Sequence, residues 1–134
     1  MHILVVGGGQ VGSYLAGLLS TDGHRVTVLE AREAAVQLLH RTAPDALVIV
    51  GDGTDPRALE DAGVRTADVV AAVTKSDATN LVITCLARFV FGVGRAVARV
   101  NDPHHTWMFS PTMGVDVALN QADVMAHLIA QAVE

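Results

Sequence analysis

The chain has 134 residues, 51% of them hydrophobic but only 4% aromatic, and carries a net charge of −5. That length suits one domain, residues 1–134, with a core of Val, Ala, Leu and Ile, and the acidic balance argues against a nucleic-acid surface or a polybasic membrane patch. Met1-His2 leads into a strand with no basic leader, no apolar run approaches bilayer-spanning length, and the single cysteine, Cys85, excludes an internal disulfide, so a reducing cytoplasmic setting is expected.

Apolar runs alternate with helical patterns along the chain. His2–Val6 reads as a strand, Val11–Ser20 as a helix, and Thr21-Asp22-Gly23 as the turn into a second strand, Arg25–Leu29. Arg32–Arg41 is the second helix. Ala46–Val50, apolar throughout, is expected to be a strand covered on both faces. Asp55-Pro56 opens a short helix through Ala62, with Pro56 suited to the first turn. Val69–Val73 is the fourth strand, Asp77–Phe91 the fourth helix and Arg95–Val100 the fifth strand. A short helix at Pro103–Phe109, a sixth strand at Val115–Ala118 and a last helix at Ala122–Val133 complete the order. Alternating βα units with short connections predict an α/β fold: a Rossmann-like, doubly wound six-stranded parallel sheet with helices on both faces. The layout fills the chain and is expected to leave no room for a second domain.

Gly7-Gly8-Gly9-Gln10-Val11-Gly12 follows the first strand, and Glu30 ends the second, 18 residues beyond Gly12. The chemistry explains the spacing. Gly7 permits a tight turn, Gly9 lets the backbone approach a pyrophosphate, and Gly12 lets the next helix pack close, so that its unpaired N–H groups face the phosphates. Glu30 stands where a carboxylate holds ribose hydroxyls. A lone carboxylate there would repel a 2′-phosphate about 4 Å away by several kcal/mol, which favours NAD(H) or an adenine nucleotide over NADP(H). A small NAD-dependent oxidoreductase, or the cofactor half of one, is the alternative reading. There is no helix-borne Tyr-x-x-x-Lys pair, and the only tyrosine, Tyr14, lies in the first helix.

Further segments follow the strands: Gly51-Asp52-Gly53-Thr54-Asp55, Thr74-Lys75-Ser76-Asp77-Ala78-Thr79-Asn80, Ala98-Arg99-Val100-Asn101-Asp102-Pro103 and Gly114-Val115-Asp116. In this order the chain resembles the RCK (regulator of K+ conductance) domain, also called the KTN or TrkA N-terminal domain. The resemblance implies a cytoplasmic regulatory domain, not an enzyme, that binds NAD(H), ADP or ATP and controls a potassium channel or transporter. It places Gly7, Gly9, Gln10, Val11 and Gly12 at the pyrophosphate, Glu30 at the ribose and Asp52 at the adenine amino group with Thr54 beside it. Thr74 and Asn80 fall near the crevice, and Arg99 within reach of phosphates. ATP-binding members with Arg in place of Gln10, and members with an acid where Ala122 stands, differ from this chain. The differences favour NAD(H) or a diphosphate.

Each residue also has a plainer role open to it. Asp52 and Thr54 can stabilise a Gly-rich turn, Ser76 or Asp77 can cap the fourth helix, and Asn80 can bond local backbone. Arg99 needs an anion, either a protein carboxylate or a ligand phosphate. Lys75, the only lysine, sits in a crevice loop, where exposure is the default. His104-His105 point about 100° apart if helical and are poorly placed to chelate one ion. The segment Leu81–Phe91 is apolar around its circumference with Arg88 its only charge, so a homodimer burying this helix is expected. The last helical pattern reaches Val133 without a C-cap, so either further chain or a separate pore protein is expected beside it.

Overall fold

The computed structural model describes every residue from Met1 to Glu134. Its strands are β1 (His2–Val6), β2 (Arg25–Glu30), β3 (Leu47–Val50), β4 (Val69–Ala72), β5 (Arg95–Val100) and β6 (Val117–Asn120). They form one sheet in the order β3-β2-β1-β4-β5-β6, every neighbouring pair parallel. Helices α1 (Gln10–Thr21), α2 (Glu33–Thr42), α3 (Pro56–Asp61), α4 (Asp77–Cys85) and α5 (Gln121–Val133) connect or follow them. The sheet order reverses between β1 and β4, which is where an open α/β sheet of this order presents its ligand crevice.

Strand alternation divides the core in two. Leu4 and Val6 of β1 join Leu29, Leu59, Val70 and Ile83 on the face toward α3 and α4. Ile3 and Val5 join Ala16, Val26, Val28 and Leu39 on the face toward α1 and α2. Pro56 does open α3, and the Asp55 carboxylate accepts from Arg57 N–H at 3.0 Å, which caps it.

Four sequence expectations need correction. β3 is an edge strand covered on both faces only at its centre: Val48 and Ile49 pack on the two core layers while Leu47 and Val50 are 61% and 50% exposed, because apolarity reveals burial preference but not position in the sheet. The fourth helix does not run uniformly to Phe91. After Cys85 it widens into a π-helical turn, Leu86–Val90, closed by Phe91 N–H on the Leu86 carbonyl. Pro103–Met108 is a 3-10 helix. β6 begins at Val117, two residues late, because Val115 is a buried core plug and Asp116 is a bracket. The Asp116 carboxylate takes the Ala96 N–H and the Arg88 guanidinium, both at 2.7 Å.

α5 buries none of its 13 residues. No helix is long and apolar enough to cross a membrane.

Candidate nucleotide-binding site

The three glycines of the fingerprint differ in what requires them. Gly7 sits at φ +111°, and a Cβ there would lie 3.0 Å from Thr74 N. A Cβ on Gly12 would collide with the Gly7 carbonyl oxygen, so α1 packs against the turn only because that side chain is absent. Gly9 is different. Its φ of −71° suits any residue, and outside its chain neighbours a Cβ would meet only Arg32 Nη2, at 3.6 Å. No packing within the protein demands a glycine there; the space belongs to the crevice. Gly9 is also the N-cap of α1, with no side-chain cap and no acid in the first turn. The leading N–H groups of α1 are therefore left for an anion.

The crevice encloses about 530 Å³, inside the range of roughly 300–1,000 Å³ usual for small-molecule sites. Gly7, Gly9, Gln10 and Val11 line it from the loop, Glu30 from the end of β2, Asp52 from the loop after β3 and Thr74 from the loop after β4. Arg99 reaches it from β5. Of the two anions open to Arg99, the protein carboxylate is absent. No carboxylate lies within 4.0 Å of its guanidinium, and its buried Nε has no hydrogen-bond partner. A guanidinium without a protein anion, lining the same crevice as bare helix amides, fits a phosphate-bearing ligand.

Three residues that the sequence assigns to the site do not line the crevice. Gly12 acts through packing, as described. Thr54 supports Asp52 instead. Its backbone N–H and hydroxyl donate to Asp52 Oδ1 at 2.9 and 2.8 Å, and these bonds hold the Asp52 carboxyl below the usual range. Asn80 is fully buried and saturated. Its Oδ1 accepts from Thr74 N–H (3.0 Å) and Thr74 hydroxyl (2.7 Å), while Nδ2 donates to the carbonyls of Thr74 and Arg99, both at 3.0 Å. Asn80 has nothing left to offer a ligand; it ties the β4 loop to β5.

Ser76, not Asp77, caps α4 through Thr79 N–H at 3.2 Å. The buried Asp77 carboxylate instead locks the loop after β5. It accepts from Asn101 N–H (2.6 Å), Asn101 Nδ2 (3.0 Å), Asp102 N–H (2.9 Å) and His105 Nδ1 (2.8 Å). Burial pushes the Asp77 carboxyl up, but these bonds outweigh it and leave it below the ordinary value. Lys75, Ser76, Thr79, Arg32 and Gln121 also line the crevice. Of these, Ser76 and Thr79 follow from their place just past β4, whereas nothing in the sequence marks Gln121. Arg32 carries a signal of its own, taken up below.

A family model for the TrkA-N domain matches residues 3–121. The chain belongs to the TrkA-N domain family. A Trk system potassium uptake protein TrkA homolog from Methanothermobacter thermautotrophicus is 41% identical over 121 residues, covering 87% of this chain and 52% of the relative. Trk system potassium uptake protein TrkA from Mycobacterium tuberculosis is 37% identical over 133 residues, covering 99% of this chain and 60% of the relative. This TrkA-N chain thus spans about half to three-fifths of the length of those relatives. Among solved structures, GsuK bound to ADP matches with TM-score 0.83 and 26% identity, over 99% of this chain and 34% of that one. The GsuK channel bound to NAD matches with TM-score 0.76 and 22% identity, over 88% and 21% respectively, a likeness of fold.

Proposed function

We propose that this chain is a cytoplasmic regulatory domain that binds NAD(H), ADP or ATP in the crevice and controls a potassium channel or transporter as a paired domain, without catalysing a reaction. The observation that carries the reading is Arg99: a guanidinium with an orphaned Nε and no protein carboxylate, lining the same crevice as a helix N-terminus whose N-cap is a bare glycine. The loop amides and Arg99 would hold phosphates, Glu30 a ribose, and the Asp52 carboxylate, through the oxygen Thr54 does not occupy, the adenine amino group. Relatives named as TrkA proteins of potassium uptake, and a GsuK structure with ADP, support both halves of the proposal.

Control requires the nucleotide to favour one of two arrangements. Gln121 lines the crevice and is the first residue of α5, so a bound nucleotide touches the root of the one helix that the domain leaves entirely exposed. The Asp77–His105 pair, the one place where an imidazole meets a buried carboxylate, lies outside the crevice lining, and Tyr14 is 72% exposed on α1. Neither is placed as a proton donor to a ligand there.

The test is titration calorimetry of NADH, NAD+, ADP and ATP into the protein and into Gly9→Val, together with potassium uptake in cells carrying that substitution in the natural gene. The proposal expects at least one of these nucleotides to bind, Gly9→Val to weaken it, and uptake to change. Binding that is absent, or indifferent to Gly9→Val, contradicts the site. Lost binding with unaltered uptake contradicts the transport role.

A further inference from the structure

Arg32 occupies the N-cap of α2, and it is a poor residue for that place. An N-cap favours a short side-chain oxygen, and a helix N-terminus favours negative charge. Arg32 provides neither; α2 has no side-chain cap bond. Its guanidinium turns back onto Glu30, donating from Nε at 3.1 Å and Nη2 at 3.0 Å, both to Oε1. The two partners are unequally placed. The Glu30 side chain is 5% exposed, the Arg32 side chain 60%, so the cation stands on the outer, crevice side of the carboxylate. Nη2 also lies beside Gly9 in the phosphate loop. Local rules that fail together at one residue point to a role in the site.

This arrangement changes the electrostatics of the ribose subsite. Glu30 is not the free carboxylate that the sequence alone suggests, which removes the basis for excluding a 2′-phosphate. A phosphate added to the ribose would meet an exposed guanidinium with the Glu30 charge already paired, an attraction that Glu33 in the first turn of α2, which does not line the crevice, opposes only in part. We propose that Arg32 is a specificity-determining residue that lets the crevice accept adenosine phosphorylated at the 2′ position, the NADP(H) class, alongside NAD(H). The inference rests on the nucleotide-binding reading above and extends it.

Calorimetric titration of NADH and NADPH into the protein, Arg32→Ala and Glu30→Gln tests it, with thermal melts confirming that each variant folds. The unsubstituted protein binds the two within about tenfold of each other, and Arg32→Ala loses about tenfold or more for NADPH while NADH shifts by less than about threefold. Glu30→Gln moves the preference the other way: NADPH tightens relative to NADH. The proposal is overturned if the unsubstituted protein prefers NADH by about a hundredfold or more, or if Arg32→Ala weakens both equally, which would make Arg32 only an orienting partner of Glu30. If NADH binds in either case, the nucleotide reading survives this failure. If neither dinucleotide binds, and parallel titrations of ADP and ATP show no binding, both fall.

Discussion

Gly9 and Gly12, three residues apart, make opposite demands, and substitution separates them. Gly12→Val drives a side chain into the Gly7 carbonyl, so it should fail to fold or melt far below the parent. Gly9→Val costs about 1 kcal/mol or less, the N-cap preference alone, yet should weaken nucleotide binding more than about tenfold by filling the approach to the loop amides. Circular dichroism melts with calorimetry check both. Asp77 offers a test independent of ligand. Its carboxyl sits below the ordinary value in the folded state, so its contribution is fully present above about pH 4 and is lost as pH falls through the lowered pKa. Asp77→Asn would set an amide N–H against the donors of the β5 loop. It should destabilise by about 2–3 kcal/mol at pH 7, with the gap narrowing below about pH 4; urea melts across pH give the answer. Residue roles of this kind were only half legible in the sequence. Glycine spacing and Glu30 are local signals and were readable. The saturation of Asn80 by Thr74 and Arg99, and the capture of Glu30 by Arg32, depend on which loops the sheet brings together.

At the scale of elements, the alternation of apolar runs and helical patterns gives the strands in chain order, because each strand buried on both faces needs an uninterrupted apolar stretch. The same signal could not separate an edge strand from a central one, which is why β3 was expected to be covered throughout. It also could not find the start of β6, where Val115 and Asp116 spend their side chains on the core and on Arg88. The fourth helix does present apolar side chains outward, with Val82, Phe89 and Val90 at 42%, 62% and 57% exposure. α5 presents more. Asp123, His127 and Gln131 fall at four-residue spacing on one stripe, and Val124, Met125, Leu128, Ile129 and Val133 are all exposed around the rest. Burying such a side chain is worth about 1.5–3 kcal/mol, so we propose that a second copy of the chain covers the fourth helix and that further chain or a separate pore protein covers α5. Sedimentation should show a dimer at high micromolar concentration that Val82→Asp combined with Phe89→Asp on the fourth helix converts to monomer. A monomeric parent protein contradicts the pairing.

For the whole molecule, the β3-β2-β1-β4-β5-β6 order matters more than any single strand. It places the Gly7 turn, the Glu30 carboxylate, the Asp52 loop and Arg99 around one opening, although they are spread over most of the sequence. Control of transport follows only if that opening holds a nucleotide and if holding it biases how α5 meets its partner. The first condition is the one on which the rest stands. A crystal structure of the protein grown with saturating NADH addresses it directly. The account predicts density in the crevice, with pyrophosphate oxygens in hydrogen-bond range of the loop and α1 amides and the adenine-side ribose on Glu30. Clear density for the protein with that crevice empty, or with the dinucleotide bound at another surface, would contradict it.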